Sequence, residues 1–317
     1  MNLKSVLVLV ILLIAFVLSF QLTGYVLSAQ KTVKIGYIPF GTNLPLFVAE
    51  ADKNFEAHGL KYELVRFGSS PELAQALSTG NIDAAFELST ASALSEGSKN
   101  PGTLKIFSVS SLAPGKPFDS IIVMDDSAVK SLKDLEGKKI GLSPDPPFAS
   151  VLKSFLDSKG INKNNINFVQ IDQQKQVDSL ASGQVDALFS TEPNTAIAIS
   201  SFAAHRIYGS VFAELQTKNP YAAAALSSKF AGENPELAKK VVSVFDKSVD
   251  FIRADNSAAK KIAAYRLNID PEIANSIELL SASKSTEVDK EKVQEYATLL
   301  QRQSDSGSID LNSLFYS

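Results

Sequence analysis

The sequence predicts an α/β protein: two duplicated three-layer αβα lobes joined by a two-crossing hinge, behind an N-terminal transmembrane or signal helix. Three observations predict it. Residues 76–86 (ALSTGNIDAAF) reappear as 179–189 (SLASGQVDALF), 103 positions later. Each copy reads as a helix end, a glycine stop and a short buried strand. Around both copies, strand-like and helix-like segments alternate in the same order, a pattern that builds a mostly parallel sheet with helices on its faces.

The elements follow in order. Residues 6–20 (VLVLVILLIAFVLSF) are interrupted only by Ser19, and the apolar run continues, diluted, to Leu27. Roughly 22 helical residues rise about 33 Å, enough to cross a bilayer. Lys4 alone precedes the run, which places the N-terminus inside and the rest outside. An uncleaved anchor and a signal removed after Ala29 both fit, and both mean export; Leu27 sits where a signal-cleavage site wants a small residue. Next, 33–39 (VKIGYIP) pairs with 138–144 (KKIGLSP), and His58-Gly59-Leu60 before the strand-like 62–67 pairs with Lys159-Gly160-Ile161 before 167–171. Each half is thus strand, helix, strand, helix, strand. Ser70-Pro71-Glu72, Asn234-Pro235-Glu236 and Asp270-Pro271-Glu272 each offer a capping side chain, a first-turn proline and an acid. After Phe230 no strand pattern appears. Leu237, Val241, Val244, Phe245, Val249 and Ile252 share a helical face, followed by helical stretches at 262–267, 273–280 and 293–300. Pro114-Gly115-Lys116-Pro117 and the region of Asn219-Pro220 punctuate the pattern as crossings between lobes. The expected division is 1–29 as anchor or signal, 30–118 plus 225–317 as the first lobe with its C-terminal helices, and 119–224 as the second.

Composition narrows the function. A balance of 31 Lys+Arg against 34 Asp+Glu leaves a net charge of −3 and no electrostatic footprint for nucleic acid. The absence of cysteine excludes disulfides, thiolate metal clusters, a cysteine nucleophile and a lipidated cysteine. Two histidines leave little for a metal site, and no cofactor or metal is expected. His58 precedes a glycine turn and His205 precedes Arg206, both structural or surface positions. No Gly-x-Ser-x-Gly elbow is present.

Lys34-Ile35-Gly36-Tyr37, the 76–85 segment, residues 131–141 (SLKDLEGKKIG) and Glu192-Pro193 carry a resemblance. Over about residues 31–255 the chain resembles extracytoplasmic solute-binding proteins of ABC importers. Within them it is most similar to the sulfonate, nitrate, taurine and thiamine-pyrimidine (NMT1/THI5-like) group with the type II periplasmic-binding-protein fold. The resemblance implies a monomeric two-lobed clamp that closes on a small molecule and hands it to a membrane permease. An intracellular pyrimidine synthase of the yeast thiamine pathway shares the fold, but it uses a lysine, a histidine and a cysteine-rich segment. A tethered solute sensor needs the same clamp.

Strand ends opening onto helix N-termini offer unpaired N–H groups to a polar ligand. In the first lobe these are Phe40, Gly41, Thr42 and Asn43, then Gly68, Ser69 and Ser70, then Ser89 and Thr90. In the second they are Ser143, Asp145 and Phe148, then Glu192 in Ser190-Thr191-Glu192. Ser70, Ser89 and Thr90 serve equally as helix caps. Relatives often carry a small Gly-Ser-Thr cradle where this chain has Ser143-Pro144-Asp145-Pro146-Pro147. The prolines remove donors and Asp145 adds negative charge. Glu87 also lies near a strand mouth, and none of these loops holds Arg or Lys. The expected ligand therefore has a cationic or hydrogen-bond-donating portion, such as an aminated heterocycle or amine. Tyr37, Phe40, Phe118 and Phe148 are the candidate stacking platforms. Asp83 and Asp186, at identical places in the repeat, read as turn-bonding residues.

Overall fold

A computed structural model of the chain describes residues 30–38, 43–112, 115–144, 146–215, 219–304, 311 and 313–316. The expected anchor or signal lies outside the described residues, as do Phe40, Gly41, Thr42 and Asp145. Among the described residues, no helix is long and apolar enough to cross a membrane. The chain from Val33 onward forms one compact unit.

The apolar segments become strands that are buried in the middle of each sheet and half-buried or exposed at its edges. They are β1 (Val33–Tyr37), β2 (Tyr62–Arg66), β3 (Ala84–Ser89), β4 (Leu104–Ser111), β5 (Asp119–Met124), β6 (Lys139–Leu142), β7 (Asn167–Gln170), β8 (Ala187–Thr191), β9 (Ala204–Gly209), β10 (Pro220–Ser227) and β11 (Ser281–Ala282). They build two sheets, ordered β11-β4-β10-β3-β1-β2 and β7-β6-β8-β5-β9. In the first, β1 runs parallel to β2 and β3; in the second, β6 runs parallel to β7 and β8. Next to each crossing a strand enters antiparallel to its neighbours: β10, after the return crossing, lies between β3 and β4, and β5, after the first crossing, lies between β8 and β9. The return crossing therefore ends before Pro220, several residues ahead of the boundary expected at 225. Almost all of β10 is buried, so its run of alanines reads the same in either lobe and gave no sign of which sheet it joins.

The duplicated residues do duplicated work. Lys34 N–H donates to Asp83 Oδ2 at 2.9 Å, and Asp83 N–H returns a bond to Lys34 O at 2.9 Å. Lys139 N–H donates to Asp186 Oδ2 at 2.8 Å, with Asp186 N–H on Lys139 O at 2.9 Å. Each Asp thus pins the start of its strand to the neighbouring one. Gly36 and Gly141 follow in β1 and β6 because a Cβ there would stand 2.5 Å from Ile82 and Leu73 Cδ1 in one lobe and 2.8 Å from Ile171 Cδ1 in the other.

Both faces of each sheet are covered, which gives three layers per lobe. On one face of the first sheet Phe86, Phe107 and Phe245 meet edge to face with centroids 5.1–6.2 Å apart; Phe245 comes from the helix Pro235–Ala254, the amphipathic stretch read from the sequence. The other face holds Leu73, Leu77 and Leu94, with Val293 and Tyr296 from the C-terminal helix Lys290–Ser304. In the second lobe one face buries Phe155, Phe189 and Phe212 and the other Leu180, Val185 and Leu188.

Two features of the C-terminal region depart from the sequence reading. β11 pairs with β4 as the edge strand of the first sheet, and Phe315 bridges to Ile106; two residues are too few to leave a period. The helices Asn256–Leu267 and Pro271–Ser276 also touch the second lobe, where Ala264, Ala274 and Ile277 close on Ala196 of the helix Asn194–Ser201.

Candidate functional site

The parallel strands β2, β1 and β3 end side by side, and the helices Leu44–Ala51, Ser70–Ser78 and Thr90–Lys99 follow their ends. The carboxyl ends of β7, β6 and β8 are arranged likewise in the second lobe. In duplicated α/β lobes, ligands bind at such edges. The two crossings run together, with Leu112 N–H donating to Asn219 O at 3.1 Å. Tyr221, at the start of β10, packs edge to face on Phe118 and Phe212, each at 5.3 Å. An aromatic pivot thus joins the lobes where the chain crosses.

On the first-lobe wall, buried Asn43 donates Nδ2–H to Ile38 O, while among the described residues its Oδ1 has no partner. Ser69, not Ser70, caps the helix Ser70–Ser78: its Oγ accepts from Glu72 N–H at 3.4 Å, and Gly68 N–H donates to Glu72 Oε2 at 3.2 Å. Ser70 Oγ instead accepts from Ser89 N–H at 3.0 Å, which joins the loops after β2 and β3. The Ser89 side chain makes no cap bond, and among the described residues the buried Thr90 hydroxyl has no partner. Of the other helix starts, Asp270 caps through Glu272 N–H at 2.7 Å, whereas the Asn234 side chain makes no cap bond.

On the second-lobe wall Ser143 is buried, and Phe148 lies in the core with its ring 5.5 Å from Phe189 and 5.3 Å from Phe212. Glu192 is 1% exposed. Its Oε2 accepts from Ala196 N–H at 3.1 Å, and its Oε1 stands 3.9 Å from Arg206 Nη2. Arg206 supplies the cation that the loops lack, because β9 brings it in from the side while its Nε–H donates to Ser120 Oγ at 2.7 Å. Beside Glu192 lies a neutral network that the sequence reading passed over. Gln173 Nε2–H donates to Thr191 Oγ1 at 3.0 Å, Asn194 Nδ2–H to Gln173 O at 2.8 Å and Gln176 Oε1 at 3.2 Å, and Ser190 Oγ–H to Gln176 Oε1 at 2.5 Å. The available signal was the Gln-rich run 173–176 directly after a strand.

Three buried carboxyls set the electrostatics. Burial pushes Glu87 up to about 8, against a bond from Ser110 Oγ–H at 2.7 Å, and among the described residues its Oε2 has no partner. Burial likewise pushes Glu192 up to about 8, opposed by the Ala196 N–H bond and Arg206. Asp119, at the first crossing, is raised to about 7 by burial, although the Phe212 and Val211 N–H groups hold its charged form. A buried carboxyl without a full counter-charge keeps its proton into the neutral range. The histidines lie apart from these groups. His58 bonds Asn54 O at 2.7 Å and Ser243 Oγ at 3.2 Å, and His205 bonds Asp125 Oδ1 at 2.9 Å. Among the described residues no group of three His, Cys, Asp or Glu is placed to hold a metal ion.

Comparison with known proteins gives this architecture relatives. "Putative binding protein BAB2_1146" of Brucella abortus (strain 2308) is 26% identical over 258 residues, spanning 78% of this chain and 76% of that one. The alkanesulfonate-binding protein SsuA from Xanthomonas axonopodis pv. citri bound to MOPS superposes with a TM-score of 0.74 at 18% identity, covering 92% of this chain and 100% of the other. The periplasmic aliphatic sulphonate binding protein SsuA from Escherichia coli gives a TM-score of 0.69 at 17% identity, covering 89% and 95%. At such identities the structural likeness establishes the two-lobed periplasmic-binding-protein-like fold, and function must be argued from the site. The NMT1-like family model matches residues 28–268, most of the sequence, and the chain belongs to that family.

Proposed function

We propose that the chain is the extracytoplasmic solute-binding component of an ABC importer, a binding protein and not an enzyme, which grips a small polar molecule between its lobes by hinge closure and presents it to a membrane permease. The observation that carries this reading is the pairing of two strand-end edges, rich in hydroxyls, amides and helix N-termini, on lobes joined by two adjacent crossings around the Phe118–Tyr221–Phe212 pivot. Export agrees with the apolar 6–27 segment, which either anchors the chain or is removed. Asn43, Gly68, Ser69, Ser89 and Thr90 on one side, with Ser143, Gln173, Asn194 and Glu192 on the other, are the proposed ligand-facing set. Phe40, Gly41, Thr42 and Asp145 complete it on the sequence argument. Ser70, bonded to Ser89, and Phe148, packed in the core, support this set from behind.

The ligand favoured by this set carries hydrogen-bond donors or a positive charge, as in an aminated heterocycle or an amine; a sulfonate or nitrate would rest on the first-lobe N–H groups. Calorimetry of the full chain with aminopyrimidines, amines, sulfonates and nitrate tests the assignment. At pH 9, above the value of about 8 to which burial raises Glu192, the expected result is binding of a nitrogen-bearing ligand weakened about tenfold or more by Glu192→Gln, the loss of one charge-assisted contact. Tight sulfonate binding indifferent to that substitution would overturn the ligand class. No binding of any small solute would overturn the function.

A further inference from the structure

Glu192 belongs to the second lobe, and the helix that follows it, Asn194–Ser201, packs through Ala196 against the first. Its own lobe supplies Ala196 N–H and, from β9, Arg206 at 3.9 Å. On β5, Asp119 turns its carboxylate away to Phe212 N–H at 3.2 Å. From the first lobe, Lys260 on the helix Asn256–Leu267 and Glu278 just after the helix Pro271–Ser276 both act on it through space, with opposite sign. Lys260 is engaged elsewhere, donating Nζ–H to Asn275 O at 2.8 Å. These first-lobe helices meet the second lobe at the seam of Ala264, Ala274 and Ile277 on Ala196, the residue whose N–H bonds Glu192. They are held to their own lobe by Ala259 and Ala263 against Leu44, Val48 and Ile252. Rotation of the lobes apart opens this seam and returns water to Glu192, which keeps its bond from Ala196 N–H and its approach to Arg206.

We infer that closure of the lobes takes up a proton at Glu192, so that an acidic medium favours the closed form and a rise in pH favours opening and release. This rests on the proposed hinge closure. The sign follows from burial: the closed form holds the carboxyl protonated up to about pH 8, while the open form, hydrated and beside Arg206, releases the proton at much lower pH. Between those limits the closed-to-open ratio falls by up to about tenfold for each pH unit gained.

The absence of native cysteine allows a direct test. Arg66 and Gln174, exposed near the carboxyl ends of β2 and β7 in the two lobes, are replaced by cysteine in the full chain and spin-labelled. Inter-lobe distances are then measured from pH 5.5 to 8.5 without added solute. The expected result is two distances, with the shorter one losing population as pH rises. Glu192→Gln should keep both distances and remove the pH dependence, while Glu278→Gln, which removes a like charge acting on the closed form, should move the transition to lower pH. The Glu278 variant also keeps the test alive should the Glu192 variant fail to fold. Two distances whose ratio ignores pH, or a pH dependence unchanged in both variants, would overturn the coupling alone. A single distance at every pH would overturn the coupling, and one that also stays unchanged with saturating aminopyrimidine, amine, sulfonate or nitrate would overturn the closure reading as well.

Discussion

Glu87 carries its carboxyl past the alanine strand β10 to Ser110 on β4, from a backbone with φ of 57°. That left-handed conformation costs a non-glycine residue about 1–3 kcal/mol, and such strain gathers where function requires it. Burial adds a second cost whenever the group ionises. Between its ordinary value of 4.5 and about 8, the folded chain keeps a proton on Glu87 that the unfolded chain has lost. The contribution is therefore complete below pH 4.5 and disappears as pH rises through 8. Glu192 and Asp119 act in the same direction. Glu287, pulled down to about 2 chiefly by Arg253, acts in the opposite one and only at acid pH. Stability should thus peak in mildly acidic solution. Urea unfolding should show a lower midpoint at pH 8.5 than at 5.5, and Glu87→Gln should recover about 1–3 kcal/mol at the higher pH with little change at the lower. A midpoint that rises toward pH 8.5 would refute this assignment of the buried carboxyls.

At the scale of elements, the repeat was legible because its residues answer to backbone geometry. Asp83 and Asp186 recur because each start of a central strand needs an acceptor for a neighbour's N–H. Gly36 and Gly141 recur because the packing of the following loop and helix leaves no room for a methyl group. Asp83→Ala should cost about 1–3 kcal/mol in an unfolding titration, and Asp186→Ala less, because Asp83 is buried and Asp186 is exposed. Equal losses would mean that burial plays no part in the clamp. Gly36→Ala should cost about 1–3 kcal/mol through overpacking against Ile82 and Leu73. What stayed illegible depended on three-dimensional approach. A cap at Ser69 and one at Ser70 look alike in sequence, and only the bond from Ser89 N–H separates them. Arg206 reads as an ordinary polar position in a strand until β9 is laid beside β5 and its guanidinium reaches Glu192. Phe148, a plausible stacking ring one residue after a proline pair, turns inward because Phe189 and Phe212 offer it a core.

For the whole molecule, the question is what holds the two lobes in their present relation. Each lobe has a buried core on both sides of its sheet, although Leu112, Tyr221 and Leu280 of the first lobe and its crossings also pack against the core of the second. Besides the crossings and the Tyr221 pivot, they meet at a seam built of Ala196, Ala264 and Ala274 with Ile277. Three of its four buried members are alanines, which permit close approach but supply little area, with Ile269, Ile273 and Leu279 packed around them; under the proposed hinge closure this seam opens while both cores stay folded. Enlarging it should therefore separate the lobes and leave them folded. Ala274→Leu inserts bulk facing Ala196; relieving it by rotation about the pivot is easier than distorting two packed helices, which costs about 1–3 kcal/mol. The expected outcome is a larger radius of gyration in small-angle scattering, solute affinity weakened about tenfold, and an unfolding midpoint close to that of the unmodified chain. Phe245→Ala provides the contrast: it empties the ring cluster with Phe86 and Phe107 and should cost about 3–5 kcal/mol. A lowered midpoint with an unchanged radius for Ala274→Leu would mean that the seam is part of a single core, and that the lobes move as one body.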